Sequence, residues 1–237
     1  KGINLRGNQH MIERLLIHDN GQDAIQSNGE NVQDITIRES WFYNARQHPT
    51  VGQSYNWCTH SDALQIHNGG IVEGITIEDS VLGPGFTNTI LLGDTGVDVN
   101  NVDLRNVLIL KGADSNISAH SSATPSVHSW TLQNVTVYGP QSANSILAFK
   151  GSNLTITDSV LVGGQIKIPN TEPNVNGNCQ WQTTGQDIGM EADPMFTNAV
   201  PDAFSGGDYT LRSDSPCFGK GSSITSPEQL LGMSDSN

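Results

Sequence analysis

Short stretches in which apolar and polar residues alternate recur along the whole chain. Leu15-Leu16-Ile17-His18-Asp19-Asn20, Ile35-Thr36-Ile37-Arg38-Glu39-Ser40 and Ile75-Thr76-Ile77-Glu78-Asp79-Ser80 share one pattern. Val102-Asp103-Leu104-Arg105-Asn106-Val107, Trp130-Thr131-Leu132-Gln133-Asn134-Val135 and Leu154-Thr155-Ile156-Thr157-Asp158-Ser159 repeat it. Each copy runs apolar, polar, apolar, polar and ends on an acid or amide, the two-residue period of a half-buried strand that stops at a bend. From Leu15 to Ile35 the step is 20 residues, followed by 40 to Ile75, 27 to Val102, 28 to Trp130 and 24 to Leu154. A period of this size, with one or two insertions, predicts a solenoid.

After each bend stands a second short apolar pair: Trp41-Phe42, Val81-Leu82, Leu108-Ile109, Thr136-Val137 and Val160-Leu161. A turn then leads to a third strand, expected at 23–28, 62–67, 88–94, 115–120, 144–150 and 165–168. Asp23-Ala24-Ile25-Gln26-Ser27-Asn28-Gly29 and Asp62-Ala63-Leu64-Gln65-Ile66-His67-Asn68-Gly69 restate this strand nearly word for word. Three strands per repeat predict an all-β parallel β-helix with about six visible coils. Counterpart positions then stack about 4.8 Å apart, so a column of the alignment is a column in space. The bend column holds Asp19, Glu39, Asp79, Asn106, Asn134 and Asp158. Asn and Asp tolerate the left-handed backbone of a sharp bend, so a polar ladder satisfying turn amides is expected there.

Composition narrows the function. With 237 residues, 35% hydrophobic, 15% charged and 25 glycines, the chain suits one folded unit of short strands and tight turns, and helical periodicity is hard to find. A formal net charge of -13 argues against wrapping nucleic acid, which requires cations to replace phosphate counterions. No apolar run reaches the length of a membrane-spanning helix. Because Ile3-Asn4-Leu5 already reads as strand, upstream residues with an export signal and a cap are expected before Lys1, and the protein is expected to be secreted. Cys58, Cys179 and Cys217 match no metal-site spacing, while a Cys179–Cys217 bridge with Cys58 free is one arrangement open to them. The sequons at Asn116, Asn134 and Asn153 carry little weight, since Asn-rich turns create them by chance.

The three-strand repeat, with its Asn/Asp column at the second bend, resembles the right-handed parallel β-helix proteins of the pectate-lyase-like superfamily over about residues 3 to 170. This resemblance implies a right-handed single-stranded parallel β-helix over 1–170 and a C-terminal capping segment over 171–237. That last part, Ala192-Asp193-Pro194-Met195-Phe196 followed by Gly207-Asp208-Tyr209-Thr210-Leu211-Arg212-Ser213-Asp214-Ser215-Pro216, is similar to the segment that often closes secreted bacterial members. The resemblance also implies a polysaccharide groove over the third strand and its flanking loops.

With Ile25, Leu64, Ile90, Ile117 and Ile146 as inward anchors, the outward floor would hold Gln26, Gln65, Leu91, Ser118 and Leu147, then Asn28, His67, Gly93, His120 and Phe149. His67 and His120 would share a column roughly 10 Å apart, with Gly93 leaving room for a sugar ring between them. Either could act as general base or acid, because histidine titrates near neutrality. Lys150 is a further candidate base or carboxylate clamp. Asp23 and Asp62 stack at a corner, where carboxylates cap backbone amides or hold a cation, so calcium is the candidate cofactor and no organic cofactor is expected. Asp94 joins Gln26 and Gln65 as a candidate binder. The insertion from Asn44 to Ser61 carries Arg46, His48, Tyr55, Trp57 and His60, and Arg46, Tyr55, Trp57 and His60 suit stacking on sugars and pairing with carboxylates.

The leading expectation is a polysaccharide lyase that cleaves a uronate-containing glycan by β-elimination, acting as a monomer without nucleic acid or membrane partners. Neutralising the uronate carboxylate would acidify the adjacent proton for a side-chain base. A glycoside hydrolase on the same fold needs two groove carboxylates roughly 5.5 Å or 6.5–9.5 Å apart. Asp62 and Asp94, near 20 Å apart by strand rise, do not qualify; Asp94 with Asp114 is a weak pair. A non-catalytic carbohydrate-binding or adhesion β-helix is the third class.

Overall fold

The structure is a computed structural model and describes residues 2–28, 31–44, 61–67, 70–92, 97–110, 112–119, 128–139, 145–149, 152–168, 172–200, 207–224 and 226–230. Among them the chain is all-β, with an 8-stranded and a 13-stranded sheet whose pairings are parallel. The exceptions are one antiparallel pairing, Phe196–Asn198 with Asp208–Leu211, and one helical turn, Pro227–Leu230.

The 8-stranded sheet takes its strands in chain order: Ile3–Asn4, Ile25–Asn28, Asp62–His67, Phe86–Leu92, Gly112–Ala119, Ser145–Phe149, Gln165–Lys167 and Thr184–Gly185. The intervening strands belong to the other large sheet, so each repeat visits both sheets before pairing with its counterpart. The alternating apolar positions stack as expected, with Ile35 opposite Ile75, Val102 opposite Ile75 and Trp130, and Trp130 opposite Leu154. These side chains are buried in one continuous core with Leu64, Ile90, Ile117 and Phe42. On the opposite parity Glu13, Arg38, Glu78 and Arg105 form a column of alternating charge, in which Arg38 pairs with Glu13 at 3.0 Å. Such half-exposed pairs contribute little energy but favour one register.

All six expected bend residues hold a left-handed backbone, with φ of 54° at Asp19, 48° at Glu39, 46° at Asp79, 53° at Asn106, 52° at Asn134 and 48° at Asp158. Asp19, however, belongs to another corner. His10 pairs with Ile35 and Leu16 with Trp41, so the first copy starts at His10, 25 residues before Ile35, and Arg14 occupies its bend. Arg14 donates to Glu39 at 2.6 Å in place of an amide ladder. Leu16-Ile17-His18 is the second strand of that repeat, and its apolar residues imitate the first-strand pattern. A second left-handed column, Gln9, Asp34, Gly74 and Asn101, had no signal in the alternation. Directly after the bend, Ser40, Ser80 and Ser159 are buried and their hydroxyls accept N–H groups of Leu15, Ser40 and Val135 from the preceding repeat.

Parallel pairing continues past residue 170, with Thr155 opposite Asn174, Val160 opposite Cys179 and Cys179 opposite Met190. The following segment lies against the outer face of the 13-stranded sheet. There Trp41, Val81, Leu108, Tyr138, Val160 and Cys179 form a second buried apolar cluster with Tyr209, Cys217 and Ile224. Cys179 and Cys217 are joined by a disulfide. Asn106 fastens the segment further on: its side-chain oxygen accepts from Ser222 Oγ, Ser223 N and Ser223 Oγ at 2.6–3.1 Å.

The bend geometry predicts a specific tolerance. Asn134→Gly should leave stability nearly unchanged, whereas Asn134→Val, which forces a β-branched residue into a left-handed backbone, should cost about 1–2 kcal/mol. Urea denaturation of the two variants measures the difference, and equal midpoints would contradict it.

Candidate functional site

In the strand Asp62–His67 the alternation sends Leu64 and Ile66 into the core and leaves Gln65 and His67 on the outer side of the sheet. Register extends this outer column from Gln26 through Gln65, Leu91, Ser118 and Ala148 to Lys167. Its first four members are nevertheless buried, at 4%, 8%, 8% and 3% exposure. Polar side chains in such surroundings need partners. Gln26 finds one in His67, two strand positions along and one strand over: Gln26 Nε2 and His67 Nε2 are 2.8 Å apart.

That contact fixes the imidazole. With the amide nitrogen facing the ring, Gln26 donates and the ring proton sits on Nδ1; turning the amide over reverses the roles. In both arrangements one ring nitrogen is held by Gln26, and the other makes no hydrogen bond among the described residues. Gln26 Oε1 likewise has no partner. The pair is a half-buried imidazole of defined orientation beside an amide with unused capacity.

Two positions before each core anchor runs a buried polar column at the corner: Asp23, Asp62, Asn88, Ser115 and Ser145. The Asp62 N–H donates to Asp23 Oδ1 at 2.9 Å. Asp62 Oδ1 in turn accepts from the backbone N–H of Asn88 at 2.9 Å and its side-chain amide at 3.1 Å. Ser115 Oγ donates to Asn88 Oδ1 at 2.6 Å. Asp62 is completely buried, and removal from water pushes its carboxyl from the ordinary 3.8 up to about 8. The charges of Asp23 and Asp114 push in the same direction, against the hydrogen bonds from Asn88. Corner capping accounts for these contacts. A calcium site asks for several ionised or carbonyl oxygens open to the ion; in this structure Asp62 is buried, and removal from water favours its protonated form. Among the described residues no group of three or more His, Cys, Asp or Glu is placed to hold a metal.

The expected site residues therefore separate into two groups. Gln26, Gln65 and His67 share the outer face of the sheet, and Gln26 and His67 touch. Asp23 and Asp62 lie in the corner column. The remaining candidates, His120, Lys150, Arg46, Tyr55, Trp57, His60 and Asp94, lie outside the described residues, as does His48. Register corrects two floor positions. Ile117 pairs with Leu147 and Ala119 with Phe149, one place on from the expected alignment with Ile146, so Ala148 takes the floor position assigned to Leu147. Phe149 points inward instead and packs edge-on against Trp130, ring centres 5.1 Å apart. It shares the parity of Leu147, two residues before it, and both are buried in the main core. The corner column extends beyond the expected pair: Asn88 and Ser115 stand at the offset of Asp23 and Asp62 from their anchors, and Ser145 joins them only once the register makes Leu147 the anchor.

The raised Asp62 carboxyl makes a pH-dependent prediction. Between its unfolded value near 3.8 and its folded value of about 8 the folded protein binds the extra proton, so this group's contribution to stability falls as pH rises through that window. Asp62→Asn keeps an oxygen to accept from Asn88 and removes the ionisation. Its melting temperature relative to the unsubstituted protein should climb from about pH 5 to about pH 9, and a flat difference would show Asp62 to be ionised throughout.

Comparison of the chain with family models, curated proteins and solved structures gave no match.

Proposed function

We propose that the chain is a right-handed parallel β-helix of the pectate-lyase-like kind, secreted, and that it cleaves a uronate-containing polysaccharide by β-elimination on the outer face of the 8-stranded sheet. The contact between Gln26 and His67 carries this reading. It supplies an oriented imidazole with one unused ring nitrogen, which is what a general base requires. The base takes the proton next to the uronate carboxylate. The electron pair forms the new carbon–carbon double bond, and the bond to the glycosidic oxygen breaks, that oxygen taking a proton from solvent water while His67 returns its own to solvent. Gln26 holds the ring from its buried position in the sheet.

Among the described residues, the placement of Asp23 and Asp62 gives hydrolysis no support. Hydrolysis needs two carboxylates facing one bond, whereas Asp23 and Asp62 are buried in the corner column as hydrogen-bond acceptors. The Cys179–Cys217 disulfide supports secretion, because such bonds persist in oxidising compartments. The 24- to 28-residue step, the left-handed bend column and the long parallel sheets support the helical fold.

The reaction is read directly by the ultraviolet absorbance of the unsaturated product over a panel of alginate, polygalacturonate, glucuronan and glycosaminoglycans, with calcium and with chelator. His67→Ala should abolish the rise. Gln26→Ala should slow it about tenfold to a hundredfold, as expected for a misaligned base. New reducing ends without absorbance would assign the protein to the hydrolases, and retention on a glycan without turnover would make it a binding protein.

A further inference from the structure

On the outer face of the 13-stranded sheet, the second strand of successive repeats aligns Leu110, Tyr138, Val162 and Trp181 in one column. Tyr138 and Trp181 are therefore two strand spacings apart, about 10 Å, with the smaller Val162 between them. The antiparallel strands Phe196–Asn198 and Asp208–Leu211 pack beside this column, where the Tyr138 ring meets Phe196 and Tyr209 edge-on at 5.7 and 5.2 Å. A cleft of about 430 Å³ remains, lined among others by Tyr138, Trp181, Gln182, Asp193, Phe196 and Arg212. Its rim is held by two left-handed residues, Gln182 and Met195, whose N–H groups donate to Glu191 Oε1 and Asp193 Oδ1.

Three lining groups have polar capacity that the protein does not use. The Tyr138 hydroxyl, the Trp181 indole N–H and the Gln182 side-chain amide make no hydrogen bond among the described residues, although Tyr138 is only 9% exposed. The Tyr138 ring is largely covered, but its hydroxyl is not sealed from solvent and stays open to a ligand. The charged groups fix the class of ligand. Arg212 is already bound in fork fashion by Asp214, at 3.1 and 2.9 Å, and Asp193 adds a further carboxylate, so the cleft offers no cation without a counter-charge to an acidic ligand. Aromatic surface surrounded by unspent donors and a carboxylate suits a sugar ring, whose C–H face packs on the aromatic ring while its hydroxyls take up the polar groups.

We propose that this cleft binds a neutral hexopyranose unit of a glycan, at a site separate from the face that carries Gln26 and His67. The site would retain the protein on a neutral polysaccharide, and it does not depend on the elimination reaction.

The test uses the full chain carrying His67→Ala, so that no saccharide is consumed, titrated calorimetrically with cellohexaose, mannohexaose and an oligogalacturonate. At least one neutral hexasaccharide should bind. Trp181→Ala should weaken that binding by at least about tenfold, and Tyr138→Phe by about fivefold, the loss expected for one hydrogen bond. Trp181→Phe, which keeps an aromatic face, should restore most of the loss. Tyr138→Phe preserves the packing of the ring, so it carries the test should Trp181→Ala fail to fold. Absence of binding to both neutral sugars, binding of the acidic oligosaccharide alone, or affinity unchanged in Trp181→Ala and Tyr138→Phe would each overturn the proposal. None of these outcomes bears on the elimination reaction, which is read on the unsubstituted protein by absorbance.

Discussion

Parallel backbone pairing between one repeat and the next is the constraint on which the rest of this structure depends. It places like positions within about 4.8 Å of each other, so every column must be chemically compatible with itself. Apolar columns merge into a continuous core, as Ile35, Ile75, Val102, Trp130 and Leu154 do. Polar columns survive burial only where each member serves its neighbour. The corner column does this through Asp23, Asp62, Asn88 and Ser115, and the serines after the bend do it by accepting N–H groups from the adjacent repeat. The same constraint forces left-handed backbone at one residue per bend, which Asn and Asp accept at low cost.

A sheet of this kind has two faces, and both are apolar where the 13-stranded sheet meets the C-terminal segment. Its inner side belongs to the main core, and its outer side carries Trp41, Val81, Leu108 and Val160. Covering that outer row requires further chain, and residues around Tyr209, Cys217 and Ile224 provide it. The disulfide between Cys179 and Cys217 and the bonds from Ser222 and Ser223 to Asn106 tie the segment to two widely separated repeats. The cleft beside Tyr138 and Trp181 is lined by both the sheet and this cover, which contributes Phe196 and Arg212.

The two carboxylates of the duplicated strand and its histidine have different fates for a simple physical reason. Asp62 precedes the anchor Leu64 by two positions and so falls on the corner, where water is excluded and its charge is disfavoured. His67 follows the anchor by three, on the outer parity, where it remains half-exposed and can meet a ligand. On this strand the imidazole therefore stands on the outer face, while Asp62 serves the corner column as a hydrogen-bond acceptor.

The alternation and its period determined the strands, their parallel stacking and the bends, because each depends only on neighbours in sequence and on a repeat that is read by comparing the chain with itself. Ile75, Val102, Trp130 and Leu154 were legible in this way, and so were the left-handed positions at Asp79, Asn106, Asn134 and Asp158. The first repeat was misread by five residues, since Leu16-Ile17-His18 carries the same local pattern as a first strand, and only its pairing with Trp41-Phe42-Tyr43 separates the two. Only the tertiary structure could decide that Gln26 reaches His67, that Phe149 turns inward, and that Tyr138 meets Phe196 from a segment far along the chain. Those contacts depend on which side chain fills the space left by another repeat, which periodicity cannot encode.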